Sequence, residues 1–353
     1  IERNFHENFL LPDRFEHLPD GMLPMCYPAD HLGGTFIPNW AMWFVVELEE
    51  YLARSGDRAM ADALKPKVLA LFDYFKGFEN GDGLLEKLDK WVFVEWSKAN
   101  DFVQDVSYPT NALYAGALDA AARMYRLDEL AREADKIREI IRAQSFNGTF
   151  FVDNAVRKDG ALERTSNTTE TCQYYLFYFG VATPETHPGL WRTLVEQFGP
   201  NRDAATVFPD VHPSNAFIGN VLRLELLSRC GLCRQLLDEC ADYHLYMAER
   251  TGTLWELISD DASCNHGFAS HVVHVLYRDV LGVHRIDRGG RQVELRFADL
   301  PLESCEGRIP VGDSAVGLKW RQDAERICFR VEIPAGYGVK VSNLSGKELV
   351  RES

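Results

Sequence analysis

The segment TGTLWELISDDASCNHGF, Thr251 to Phe268, sets Trp255 beside Glu256 and, further along, Asn265 beside His266. An aromatic face packs on the apolar C–H face of a pyranose, and a carboxylate in a partly dry pocket gains the raised pKa that proton transfer at neutral pH requires. Glu256 follows a helix that ends near Met247, so it falls on a loop at a helix end, where catalytic groups are often carried. Asn265 and His266 precede the apolar set Phe268, Val272, Val275 and Leu276. There an imidazole can donate to a hydroxyl or hold a carboxylate. Each residue also has a plainer reading: Trp255 in the core, Glu256 as a solvated loop acid, and Asn265 as a helix cap.

Two other stretches carry the same residue types. WVFVEWSKAND supplies Trp91, Glu95 and Trp96, and FIPNWAMWF supplies Trp40 and Trp43, so with Trp255 five of seven tryptophans fall at helix starts or in loops. In an antiparallel helical array the loops at one end converge, which makes Trp40, Trp96, Trp255 and Glu256 candidates to line one sugar pocket. Glu95 reads either as a substrate contact or as a surface charge. Glu170, in SNTTETCQYY, sits where a helix dipole favours an acid. His271 and His274 lack a carboxylate at ligand spacing, and the Cys230/Cys233 pair has only Cys240 nearby. Small apolar cysteines at a helix start explain that pair, and neither a metal nor another cofactor is expected.

From Trp40 to about Leu281 apolar residues recur every three or four positions between Gly, Pro and Asp-rich breaks, giving about nine helices. These are Trp40–Arg54, Arg58–Phe78, Thr110–Arg126, Leu127–Gln144, Thr168–Gly180, Leu190–Phe198, Ser214–Cys230, Cys233–Met247 and Phe268–Leu281. They pair as antiparallel hairpins, as in AARMYRLDELAREADK, where Leu127 and Asp128 separate two amphipathic stretches. After Val283 the period becomes two. AVGLKW puts Val316, Leu318 and Trp320 on one face, and ICFRVEI does so with Ile327, Phe329, Val331 and Ile333. The fold class is mainly α: a helical domain over residues 1–285, then a small antiparallel β-sandwich over 286–353, with HRIDRGGR as the join.

The formal charge of −15 comes without a Lys/Arg cluster, so nucleic acid and anionic membrane surfaces are poor partners. No apolar run reaches the length of a bilayer span. Oligomeric state and compartment are not legible.

GTLWE followed by SCNHGFASHVVHVLYRDVLGV is similar to the stretch with which bacterial α-L-rhamnosidases, inverting glycoside hydrolases, end their (α/α)6 toroid. DGMLPMCYPAD resembles that family's D-G-x-x-P segment, and FIPNWAMWFVVELEEYLARSGD its Trp-led helix. VEWS resembles its Asp-Trp motif with Glu95 in the acidic place, HPSNAFIGNVLRLELLSRCGL the helix before the catalytic loop, and CEGRIPVGDSAVGLKW the closing β-sandwich. The resemblance implies a toroid and a carbohydrate substrate, a rhamnose-containing glycoside. It implies that Glu256 is the general base, that His266 contacts sugar hydroxyls or orients the water, and that Trp40 and Trp96 line the sugar pocket.

Inversion requires a base and an acid on opposite faces of the ring, about 6.5–9.5 Å apart. The family's acid lies in an Arg/Asp-rich motif before the D-G-x-x-P segment, and nothing from Ile1 to Asp20 resembles it. The helix count also falls short of a six-hairpin ring. The expectation is therefore a toroid incomplete at its N-terminus with its acid upstream; a divergent enzyme using Glu95 or Asp101 is the alternative. Met42 stands where the resemblance has Asp, and the Glu256–His266 loop is shorter than usual. A sugar epimerase on a helical toroid and a non-catalytic carbohydrate-binding module are the competing classes.

Overall fold

The computed structural model describes residues 1–12, 14–26 and 33–352. The Tyr27–Asp30 end of the D-G-x-x-P segment lies outside them. By contact the chain forms two compact units: Ile1–Leu52 with Asp57–Leu222, and Ala53–Gly56 with Arg223–Ser353.

The first unit is built of helix pairs. After a short helix α1 (Glu2–Asn8), which the sequence did not announce, come α2 (Pro38–Ser55), α3 (Arg58–Lys76), α4 (Tyr108–Tyr125), α5 (Asp128–Ser145), α6 (Glu170–Tyr178) and α7 (Pro188–Gln197). Within a pair the two members differ. Helix α4 is Ala-rich and buried at nearly every position, whereas α5 buries only the stripe Leu130, Ala134, Ile137 and Ile141 and its last residue, Ser145. That contrast separates an inner helix, covered all round, from an outer one with a polar face. The chain reverses between them at Arg126, left-handed with φ 57°, and Leu127, one residue earlier than the sequence pattern implied.

A side-chain amide near the start of each inner helix fastens a neighbouring extended segment. Asn39 of α2 accepts from the Phe93 N–H (3.1 Å) and donates to Thr110 Oγ1 (3.1 Å). Asn111 of α4 accepts from the Leu85 N–H (2.7 Å) and donates to the Leu85 carbonyl (3.0 Å). Gln173 of α6 does the same with Phe151, at 3.0 and 2.8 Å. All three amides are fully buried, so these bonds satisfy backbone groups that water cannot reach. The unit also holds a small sheet absent from the sequence reading: β1 (Val106–Ser107), β2 (Asn154–Lys158) and β3 (Ala161–Arg164), joined in that order.

Helix α8 (Ile218–Arg229) runs from the first unit into the second, which continues with α9 (Cys233–Thr251) and α10 (His271–Val275). Helix α10 passes into a wider π turn, Leu276–Leu281, that ends at Gly282. Strands β4 (Val283–Asp287), β5 (Gln292–Phe297), β6 (Ser304–Val311), β7 (Ser314–Gln322), β8 (Arg326–Glu332), β9 (Gly338–Asn343) and β10 (Glu348–Arg351) follow. The period change expected at Val283 is where β4 begins, and HRIDRGGR is that strand and its turn rather than a linker. One sheet has the order β10-β8-β7-β6, the other β4-β5-β9. The hairpins are antiparallel, while β9 joins β5 and β10 joins β8 in parallel. Val316, Leu318, Trp320, Ile327 and Phe329 share one core with Val293, Leu295 and Phe297. Trp320 also donates its indole N–H to the Leu281 carbonyl (3.0 Å), tying the sandwich to the π turn.

A connected polar set spans this second unit. Glu225 accepts from His271 Nε2 (2.8 Å) and Arg278 (2.8 Å); Arg278 also reaches Asp279 (2.8 Å), which binds Ser228 Oγ (2.7 Å) and Arg296 of β5. Burial pushes the Glu225 carboxyl up, but His271 and Arg278 outweigh it and hold the group well below the usual carboxylate range.

Candidate active site

The candidate residues fall in both units. In the first, Phe93 is the hub of an aromatic cluster. Its ring lies 5.4 Å from Trp40, 5.6 Å from Trp91, 4.7 Å from Trp96 and 6.1 Å from Phe217, all tilted or edge-on. Trp40 and Trp96 are each half-buried and Trp91 is exposed, so the cluster presents indole surface while Phe93 is buried beneath it. The structure thus brings together Trp40 and Trp96, which the sequence only proposed as neighbours. Phe93 and Phe217 were missed. Trp43 stands apart from that cluster and packs on Tyr175, Tyr178 and Phe179.

Glu95, weighed as a substrate contact, a surface charge or an acid, is 0% exposed. Its Oε1 accepts from the Ile218 N–H (3.1 Å), and its Oε2 from the N–H groups of Gly219 (2.6 Å) and Asn215 (3.4 Å). Ile218 and Gly219 belong to the first turn of α8 and Asn215 to the segment before it; N–H groups in a first turn have no helical partner, and the dipole there favours negative charge. Burial pushes the Glu95 carboxyl up to about 8, against the pull of the Gly219, Asn215, Ile218 and Trp96 N–H groups. Gly219 is required: a Cβ there would lie 2.3 Å from Glu95 Oε2. Asp101, the other acid considered, is exposed and paired with Lys98 at 2.8 Å.

Glu170 is buried at the start of α6 against Arg202 (2.8 Å), each side chain 1% exposed, and accepts from the Tyr174 hydroxyl (2.8 Å). Nearby in sequence, the cap of α6, Thr169, donates to Asp153 Oδ1 (2.7 Å).

In the second unit α9 ends at Gly252, φ 72°, which turns the chain into the loop that carries Glu256. The loop closes on itself through two backbone bonds, His266 N–H to the Leu254 carbonyl (3.0 Å) and Glu256 N–H to the Ser263 carbonyl (2.9 Å). Glu256 is half-buried on this closed loop. Trp255 is only 1% exposed. Its indole N–H donates to Thr251 Oγ1 (2.7 Å), Arg250 lies over its ring at 5.5 Å and Tyr246 meets it edge-on at 5.6 Å. Its ring therefore anchors the loop to α9, and the backbone of the adjacent Glu256 inherits that fixed position.

His266, not Asn265, caps the next turn: its Nδ1 accepts from the Phe268 N–H (3.2 Å). The neutral imidazole then carries its proton on Nε2, which becomes the donor. Asn265 is exposed. Among the described residues no group of three or more His, Cys, Asp or Glu side chains is placed to hold a metal ion. No helix described is long and apolar enough to cross a membrane.

No curated protein sequence matches the chain. Solved structures do resemble it. The GH78-family rhamnosidase of Bacillus sp. GL1 superposes with a TM-score of 0.78 at 21% identity, covering 90% of this chain and 34% of that one. The α-L-rhamnosidase of Dictyoglumus thermophilum gives 0.73 at 13% identity, over 96% of this chain and 38% of that one. The Streptomyces avermitilis α-L-rhamnosidase complexed with L-rhamnose gives 0.60 at 16%, over 89% and 30%. At such identities the likeness is one of fold, that of a six-hairpin helical domain followed by a β-sandwich. The chain spans about a third of the length of these relatives. The family model for the bacterial alpha-L-rhamnosidase 6 hairpin glycosidase domain matches residues 3–280, most of the chain. The chain belongs to that family.

Proposed function

We propose that the chain serves in the hydrolysis of terminal α-L-rhamnosides with inversion, with Glu256 as general base. The observation that carries this reading is the closed Trp255–His266 loop, in which a buried ring fixes the backbone of a half-buried carboxylate. Glu256 takes the proton of the water that attacks the anomeric carbon. His266, with Nε2 as donor, holds a sugar hydroxyl or that water, and Asn265 is a further polar contact. Trp40 and Trp96 offer the ring faces on which the C–H face of the sugar packs. The family match supports a glycosidase, and one similar structure is a complex with L-rhamnose.

The reaction also needs a general acid, so the assay uses this chain and any longer product of the same gene. Hydrolysis of p-nitrophenyl α-L-rhamnopyranoside is followed by proton NMR, and inversion releases the β anomer first. Glu256→Gln is expected to lower kcat by about 10²–10⁴ while L-rhamnose still binds. Unchanged turnover in Glu256→Gln, or first release of the α anomer, would sink the assignment.

A further inference from the structure

Glu95 and Trp96 are neighbours in sequence with opposite surroundings. One is sealed from solvent and the other is half-buried. The contacts joining this pair to the segment Asn215–Gly219 run in both directions. The Glu95 carboxyl group accepts from the backbone N–H groups of Asn215, Ile218 and Gly219, and the Asn215 side chain returns the grip by donating Nδ2 to the Trp96 carbonyl (2.6 Å). Asn215 is itself held, its Oδ1 accepting from the Ala216 N–H (2.7 Å). Between these two anchor points the chain carries Phe217, whose ring touches both Phe93 and Trp40. Two segments more than a hundred residues apart are thus locked to each other, and each brings one wall of the aromatic cluster.

The lock leaves little play. With the Gly219 N–H at 2.6 Å from Oε2, and room for a Cβ denied by Oε2 at 2.3 Å and Ser214 Cβ at 2.6 Å, the carboxyl group fits one depth only. A shorter acid would not reach all three donors. An amide would turn an N–H₂ donor towards an N–H donor. Glu95 is itself 0% exposed, so any effect on a ligand at the exposed ring surface passes through the neighbouring groups.

We propose that Glu95 is a positioning residue, whose grip on the start of α8 sets where the Trp96 and Phe217 rings stand and thereby the sugar affinity of the aromatic cluster. The affinity part rests on the reading of Trp40 and Trp96 as sugar contacts; the placement of the rings does not.

The test separates the two. The Trp96 contribution to fluorescence, obtained as each protein minus its Trp96→Phe counterpart, is measured with acrylamide as quencher and no sugar present. Glu95→Gln is expected to raise the quenching of that contribution about twofold, because a displaced indole gains solvent contact. Gly219→Ala, which leaves Glu95 in place and presses on it, and Asn215→Ala, which leaves Glu95 untouched while removing the link to the Trp96 carbonyl together with the bond from the Ala216 N–H, are expected to act in the same direction. Asn215→Ala is the variant to rely on should the first two not fold. Unchanged Trp96 quenching in the folded variants, even with a lowered melting temperature, would overturn the proposal, since a purely stabilising residue predicts that result.

L-rhamnose titrations then read the consequence. Glu95→Gln is expected to weaken binding about tenfold, the worth of a well-placed ring contact, and to have no further effect in the Trp96→Phe background. A full additional loss in that background would mean that Glu95 does not act through Trp96 and would overturn the proposal. No binding of L-rhamnose by the unsubstituted chain would count against the sugar reading alone, and the acrylamide result would still decide the placement.

Discussion

Asp153 is 1% exposed; its Oδ1 receives the Thr169 hydroxyl at 2.7 Å, and its Oδ2 has no partner among the described residues. Burial pushes its carboxyl from the ordinary 3.8 up to about 8, against the smaller pull of the Thr169 hydroxyl and N–H. Between those two values the unfolded chain has released a proton that the folded chain keeps. The folded state binds more protons there, so stability falls as pH rises, by about 1.4 kcal/mol per pH unit for this one group. From pH 5 to pH 7 the loss amounts to about 3 kcal/mol. Asp153→Asn has nothing to titrate. Its Oδ1 keeps the Thr169 bond, and its N–H₂ stands unpartnered where Oδ2 stood, a pH-independent penalty of about 1–3 kcal/mol. The stability of the variant minus that of the parent should therefore climb with pH, by about 3 kcal/mol between pH 5 and 7. Urea unfolding of both proteins at pH 5, 6 and 7, followed by helical circular dichroism, measures that difference. A difference independent of pH, or one that falls as pH rises, would show that Asp153 is ionised in the fold and refute the argument from burial.

Two further outcomes are expected from the buried charges. Arg202→Met leaves Glu170 buried without its cation and should destabilise the protein by about 3–5 kcal/mol, whereas Arg202→Met with Glu170→Gln recovers much of that loss. Equal stability of the single and double variants in thermal melts would refute a coupled pair. Arg296→Leu removes one of the three donors that Asp279 binds, so it should cost about 3 kcal/mol, and Arg296→Leu with Asp279→Asn about half as much. Additive losses in urea midpoints would show that the two side chains do not act together.

How much of this was legible depended on the range of the interaction that fixes each feature. The helices from α2 to α10 were readable because apolar spacing reports a face directly, and their ends moved by a few residues where caps such as Asp57 and Thr169 decide them. The β2–β3 hairpin carries a local signal: in AVRKDGALER, Asp159 and Gly160 adopt φ 49° and 84°, as an Asp-Gly turn requires. The sequence reads HRIDRGGR as a join, whereas its first residues complete strand β4. Glu95 shows the limit. Nothing local distinguishes a solvated loop acid from one that holds the start of a helix far along the chain, because its partners are backbone groups with no signature of their own. Trp255 and His266 were placed on the right loop, but their jobs, anchor and cap, depend on Thr251, Tyr246 and Phe268 in three dimensions.

The amides of Asn39, Asn111 and Gln173 bind main-chain groups of Phe93, Leu85 and Phe151, so each fastening constrains the identity of only one of its two residues. The fastened residue need only not be proline, which has no N–H to give. A scaffold bolted this way can drift: the residues it fastens are free to change in type so long as volume is kept. Relatives that share its fold at 13–21% identity are what such one-sided requirements permit.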